Sequence, residues 1–402
     1  MRIHPDSFAF TLLLGLLSAL PTFGIDMILP TLSATGVDLG ALPSDVGLAM
    51  SVYLLGLGAA LLVYGPVSDQ LGRKPIVVFG CALVIAASIG CFFAHSLPQL
   101  LVFRAFQGAG ASGPGMAAVT IVRDLFEGAA ARAKMSYVVF AINIVPMVAP
   151  TVGAALLMLG GWRVIYLVPI GAGLVLLLAM RNFTESARIN PATRLKPAAI
   201  ARNYSRVLLH PVCLGNILCN AAAAGAVFAY ITGSSLFFIN ALGLSPSQYG
   251  VIFGASSLSV MAGTFVNKRL GAWGVSPGQM ITIGLTLSSV LAVFLLVMAI
   301  AGGKSIILVV LVMVGVALSF GLISPNAMNG AMQPLPEIAG SASAVLVFVQ
   351  MLAAASSSGL VAGLFDGHSA FSMAVVMVFF CGLAIVSYVC IVRPAERLVL
   401  IT

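Results

Sequence analysis

The sequence predicts an all-α membrane protein with twelve transmembrane helices in two six-helix bundles, on three observations. Of its 402 residues, 60% are hydrophobic and 7% charged, with a mean hydropathy of +1.13, whereas about 25% of a water-soluble domain is charged. The apolar runs are continuous and do not alternate, which argues against a β-barrel, and each is long enough to cross about 30 Å of hydrocarbon at about 1.5 Å per residue. Twelve such runs fall six and six around one long polar segment, Arg181 to His210.

In chain order the runs cover 8–32, 46–66, 76–95, 98–121, 135–160 and 162–180, predicting an N-terminal bundle over 1–180. They continue over 211–239, 247–266, 277–301, 305–329, 339–364 and 370–392, predicting a C-terminal bundle over 211–402. The first run passes signal-peptide length, through Asp26 to Pro30, with no small-residue cleavage site, so it reads as a span. In the linker 181–210, Ile200, Tyr204, Val207 and Leu208 recur at helical spacing with Arg202 and Arg206 between them. That pattern fits a short amphipathic helix on the membrane surface, and a basic tether near anionic lipid fits the same composition.

Loop charge orients the chain. With the N-terminus inside, sixteen Lys and Arg fall in inner segments, among them Arg2, Arg73, Lys74, Arg123, Arg132, Lys134, Arg188, Arg194, Lys196 and Arg397. Only Arg163 and Lys304 fall outside, and Arg104 lies within a span. This asymmetry predicts that both termini are cytoplasmic and gives the net charge of +8 a topological meaning, not a nucleic-acid partner.

The second and third runs are joined by Gly65-Pro66-Val67-Ser68-Asp69-Gln70-Leu71-Gly72-Arg73-Lys74-Pro75, expected to be a charged turn. Asp69 at a helix end can pair with Arg73 or Arg123, or face the positive N-terminal end of another helix such as one starting near Ala339. Contacts of that kind form in one conformational state and break in another. A degenerate copy, Gly263-Thr-Phe-Val-Asn267-Lys268-Arg269-Leu-Gly271, follows the eighth run and marks an internal repeat.

A charge inside a bilayer costs a few kcal/mol, so Asp26 and Arg104, the ionisable residues inside spans, are the most informative positions. Each is expected about 9 Å below the outer boundary, at about 1.5 Å per residue, where the two can meet. A low-dielectric surrounding disfavours an unpaired carboxylate and a nearby guanidinium favours it. A substrate or a rocking motion that changes their separation or hydration would then exchange a proton for cargo.

The Gly65–Lys74 motif resembles the loop between the second and third helices of major facilitator superfamily transporters. Gly24-Ile-Asp26-Met-Ile-Leu-Pro30 and Arg104-x-x-Gln107-Gly-x-Gly-Ala-Ser112 resemble the first- and fourth-helix signatures of proton-coupled drug exporters of the Bcr/CflA type. Ser324-Pro325-Asn326-Ala327-Met328, the Ala339–Ala344 stretch and Gln350 extend that likeness into the second half. The resemblance implies the major facilitator fold, with Asp26 as a proton-carrying acid, Arg104 and Gln107 as its polar partners, and Gly65, Asp69, Gly72 and Arg73, with Arg123 beside them, as an inner gate. Exporters of this superfamily commonly carry Gly-Pro-x-x-Gly-Gly in the fifth helix. Here Ala149-Pro150-Thr-Val-Gly153-Ala154 keeps the proline and one glycine, so Pro146, Pro150 and Gly153 read as kink and packing residues.

The expected activity is secondary active transport, namely proton-coupled efflux of small lipophilic or amphipathic compounds such as antibiotics. A proton-coupled metabolite exporter or importer on the same fold is the alternative. The expected partners are a small molecule, protons and the bilayer, and the expected location is a bacterial cytoplasmic membrane. The aromatic residues Phe23, Phe103, Phe106, Tyr230 and Phe237, with the polar Asn143, Asn326 and Gln350, are expected to line the cavity. The sequence carries no Gly-x-Ser-x-Gly, His-Glu-x-x-His or P-loop pattern, and its four His residues fall in or beside loops. Its six Cys residues have no Cys-x-x-Cys spacing, so neither an enzyme nor a metal, disulfide or other cofactor is expected.

Overall fold

The fold is described from a computed structural model covering residues 4–187 and 197–396. Arg2, Arg188, Arg194, Lys196 and Arg397, which enter the charge asymmetry, lie outside the described residues. Among those described, the chain forms fourteen α-helices and no strand. Helix α1 (Phe8–Asp26) continues through a 3-10 turn into short α2 (Leu32–Leu39). It is followed by α3 (Pro43–Leu71), α4 (Arg73–Phe92), α5 (Leu97–Leu125), α6 (Gly128–Gly160) and α7 (Leu167–Asn182). Amphipathic α8 (Pro197–Leu209) leads into α9 (Pro211–Ser235), α10 (Pro246–Ala272), α11 (Pro277–Ile300), α12 (Ile306–Met332), α13 (Ala339–Gly363) and α14 (Phe371–Val386).

Local chemistry explains many of the boundaries. Ser7 caps α1 by accepting from the Phe10 amide, and Ser245 and Ser276 form capping boxes with Gln248 and Gln279. Proline stands in the first turn of α3, α5, α9, α10 and α11, where its missing N–H leaves no helix bond unmade. Eleven helical segments are long and apolar enough to cross a membrane. Helix α5 completes the set by length, at 29 residues, but Arg104, Gln107 and its small polar residues lower its hydropathy. It avoids lipid by packing between α3 and α4.

The expected turn at Gly65–Pro75 is almost entirely helical. Helix α3 runs through Asp69 to Leu71 and α4 begins at Arg73, so the break is Gly72 alone, at φ 96°. A side chain there would be strained, and a Cβ would also collide with the Glu185 carboxylate. We call the membrane face carrying this break the motif face, and the other the far face.

Apolar surface does not drive helices together in lipid, so contact depends on small residues that let backbones approach. A Cβ on Gly56 would overlap the Ala105 carbonyl, and one on Gly108 would overlap the Tyr53 carbonyl, fixing α3 against α5. Gly110 and Gly80 play the same part between α5 and α4. The two halves also meet this way, on the far face and at mid-depth. Gly47 and Gly58 of α3 abut Ala362 and Met351 of α13, and Gly250 and Gly254 of α10 abut Thr151 and Met147 of α6. Toward the motif face, a Cβ on Gly65 of α3 or Gly340 of α13 would meet open space.

Helix α8 answers the choice between helix and tether. Its Val207 is buried with Cys213, Ile217, Ala331 and Val345, while Arg202 and Arg206 stay outward. The Tyr204 hydroxyl donates to the Leu62 carbonyl of α3 at 2.8 Å, and Arg206 pairs with Glu337 at 2.6 Å. The linker therefore touches both halves at the motif face.

Gly108→Ala should lower the melting temperature of the purified protein by the equivalent of about 1–3 kcal/mol, because the atoms it strikes are backbone and cannot rotate away. Gly382→Ala, on an exposed face with nothing within 4 Å, should leave it unchanged or slightly raised. Equal melting temperatures for the two variants would refute the packing argument.

Candidate functional site

The core of the site is the surrounding of Arg104, which is 1% exposed. Helix α1 ends at Asp26, and the carbonyls of its last turn have no amide ahead of them. One of these, Gly24 O, accepts from Arg104 Nη2 at 2.6 Å. Arg104 Nε donates to Ala49 O of α3 at 3.3 Å and Nη1 to Gln107 Oε1 at 2.6 Å, and the guanidinium lies 4.3 Å from the Tyr53 ring centroid. Gln107 in turn donates to Ser88 Oγ of α4 at 2.8 Å. One guanidinium therefore ties together α1, α3 and α5, and through Gln107 reaches α4. Tyr53 also donates to Pro21 O at 2.8 Å.

Asp26 is 3% exposed, yet the expected pair with Arg104 is not formed. Arg104 takes backbone carbonyls and Gln107 instead, because Gly24 O is presented closer to it than the carboxylate two residues on. Among the described residues, no donor bonds the Asp26 carboxyl. Just beyond it, the 3-10 turn Leu29–Thr31 packs on α9 and α10 of the other half. There Ser235 Oγ donates to Leu29 O at 2.5 Å. Asp26 thus lies at the seam between the halves, where an ionised carboxylate would have neither counter-charge nor donor.

At the motif face, Arg73 bonds Asp69 Oδ1 at 2.6 Å, Asp124 Oδ2 at 2.8 Å and Ser68 Oγ at 3.0 Å. Glu185 accepts from the backbone amides of Arg73 and Lys74 at 2.8 and 3.0 Å, capping the positive start of α4. Asp69 is paired within its own half and its side chain is 70% exposed. Arg123 is exposed and has no ion-pair partner among the described residues. Asp124 and Glu185, not singled out from the sequence, complete the network that Arg123 was expected to join.

The eight expected lining residues do not share one cavity. Phe106 is 53% exposed, and Phe103 fills the space beside Gly90 between α4 and α5. Phe23 packs in the core of the first half, Phe237 is fully buried in the second, and Tyr230 sits at the seam. Asn143 donates to Val139 O of its own helix at 2.7 Å, and Asn326 bonds Asn267 at 2.7 Å, joining α12 to α10. Gln350, partly exposed, accepts from the fully buried carboxamide of Asn220 at 3.1 Å. Of the packing residues, Gly153 rests on the Met27 backbone, and Pro146 and Pro150 flank the part of α6 that meets α10.

Removing Asp124 leaves a largely buried guanidinium underpaired, so Asp124→Ala should destabilise the protein by about 3 kcal/mol. Removing the exposed Asp69 should have less than about 1 kcal/mol of effect. Thermal unfolding of both variants decides this, and equal losses would mean that Asp69 is the structural partner.

Comparison with known proteins agrees with this architecture. Residues 12–358 match the Major Facilitator Superfamily. A bicyclomycin resistance protein homolog of Haemophilus influenzae is 27% identical over 347 residues, covering 84% of this chain and 85% of the relative. A chloramphenicol resistance protein of Pseudomonas aeruginosa is 30% identical over 275 residues, covering 66% and 63%. The fold is shared with a bacterial homolog of the human lysosomal transporter Spinster in an inward-facing, occupied conformation, at a TM-score of 0.72, 14% identity and 98% coverage of each chain. Buried charges, helix-end motif, paired bundles and the sequence match agree: the chain is an integral membrane transporter and belongs to the Major Facilitator Superfamily.

Proposed function

We propose that this protein is a proton-coupled exporter of small lipophilic or amphipathic compounds, antibiotics among them, in a bacterial cytoplasmic membrane. The motif face and both termini are cytoplasmic, on the Lys and Arg asymmetry. The similarity to a bicyclomycin resistance protein homolog and to a chloramphenicol resistance protein supports the substrate class. The observation that carries the reading is Asp26, the one acid within the apolar part of the spans, buried without a bonded donor among the described residues and next to the turn that meets the second half through Leu29 and Ser235.

The mechanism follows from electrostatics. With the far face sealed, Asp26 is shut away from water and from any donor, so the arrangement tolerates the neutral acid and opposes the carboxylate. Loss of the proton toward the cytoplasm, with cargo bound, destabilises the seal and favours rocking to an outward-open state. There water receives the carboxylate, cargo leaves, and a proton from outside restores the neutral acid and the seal. Asp69, exposed and held only by Arg73, is free to meet the N-terminal end of α13 when the motif face closes.

In proteoliposomes with an imposed pH gradient, Asp26→Asn should abolish uphill drug transport, a loss of about a hundredfold or more, because the amide cannot carry a proton. Equilibrium binding of uncharged drug should persist. Parent-like uphill transport with parent-like pH dependence in Asp26→Asn would place the proton site elsewhere.

A further inference from the structure

Helices α9 and α13 meet along a ladder of polar contacts through the middle of the second half. Ser357 Oγ donates to Gly225 O at 2.6 Å, and Thr232 bonds Ser358 at 2.9 Å. At the rung nearer the motif face, Asn220 Nδ2 donates to Gln350 Oε1 at 3.1 Å. Asn220 is fully buried, and its Oδ1 has no partner. As placed, the amide end of Asn220 is taken up by Gln350 and its acceptor end has no donor. A buried carboxamide with an open end destabilises the fold, and such a group is normally satisfied by water or a ligand. Gln350 beside it is only partly buried, so the pair has an accessible edge.

The charge around this pair is equally informative. Between residues 211 and 266, and again over 305–336 and 338–365, the sequence contains no Asp, Glu, Lys or Arg. The two membrane-buried charges, Asp26 and Arg104, both belong to the other half. A cationic or anionic group brought to Asn220 would meet no counter-charge, whereas an uncharged group with adjacent donor and acceptor would satisfy both carboxamides.

We propose that the Asn220–Gln350 pair is a hydrogen-bonding subsite for uncharged cargo carrying an amide or lactam. The free amide hydrogens of Gln350, at the accessible edge of the pair, meet the cargo carbonyl, and the open acceptor of Asn220 takes the cargo N–H when the Gln350 side chain turns aside. The proposal rests on the transporter reading above and names the chemistry that the second half selects. It also explains why Asn stands at a position where an aliphatic residue would pack without loss.

The test is proton-driven uptake into inside-out proteoliposomes, paired with binding to the purified protein. The probes are chloramphenicol, an uncharged amide, and ethidium, a permanent cation. The variants are Asn220→Leu and Gln350→Leu, with Asn220→Gln as the conservative replacement. Asn220→Leu should weaken chloramphenicol binding about tenfold, as expected for loss of one hydrogen bond in a dry site. Its melting temperature should hold or rise, because an unmatched buried polar group has gone. Ethidium transport, if the parent shows it, should be unchanged, and Asn220→Gln should retain part of the chloramphenicol binding. A fall in melting temperature with equal loss for both probes would make Asn220 structural and overturn the proposal, as would unaltered chloramphenicol binding in Asn220→Leu. Transport of ethidium but not chloramphenicol by the parent would overturn the subsite and leave the exporter reading standing. Absence of proton-driven transport of either probe would count against both.

Discussion

Arg104 has no route to water, and its neutralisation by backbone carbonyls is the interaction on which the first half of this transporter depends. Gly24 offers its carbonyl because α1 stops at Asp26, and Ala49 offers its own from the flank of α3. An unmet guanidinium at that depth would disfavour the fold by several kcal/mol, so the end of α1, the flank of α3 and the middle of α5 are held in one geometry. Gln107 and Ser88 pass that constraint to α4. Because the carbonyls satisfy Arg104, Asp26 is left facing the other half with nothing to hold its charge. The proposed proton chemistry would then be a by-product of a structural solution, in which carbonyls hold Arg104 and leave the acid without a bonded partner.

Close helix contact does the rest. Within the first half, glycine lets α5 lie against α3 and α4 at backbone distance. Glycine also lines the seam between halves, at Gly47, Gly58, Gly250 and Gly254. Contacts through small residues are shallow and interlock little, so a seam of this kind can part and reform without unthreading side chains. The far face is held by that seam and by the Leu29–Ser235 bond. At the motif face, α8 bridges the halves through Tyr204 and Arg206 while the ends of α3 and α13 remain apart.

The bundle was legible because a bilayer admits only segments that satisfy their own backbone, and a continuous apolar run that long is then a helix. The ends of the helices were less so. Hydropathy stops where charges begin, but backbone bonding does not, so α3 carries on through Asp69 and α6 starts at Gly128, ahead of its apolar run. Asp26 and Arg104 were visible as charges in apolar surroundings, although spacing alone could not show that carbonyls would take Arg104 first. Asp124 and Glu185 reach Arg73 from 51 and 112 positions away, with no periodicity connecting them. The cavity was hardest to read, because an aromatic residue on a membrane helix carries the same chemistry whether it is exposed, like Phe106, or packed inside, like Phe237 and Phe103. Asn220 was overlooked because an uncharged amide in a span is unremarkable until its neighbours are counted.

The central claim is that the protonation of Asp26 decides whether the far face is sealed. Val37 on α2 and His368 beyond α13 are exposed positions on that face in opposite halves. Spin labels at these two sites, in a background without the native cysteines, report its opening as a distance measured by pulsed electron resonance. The account predicts a short distance at low pH that lengthens as pH rises, and a short distance at every pH in Asp26→Asn. A distance that ignores pH in the parent, or that lengthens equally in Asp26→Asn, would contradict it.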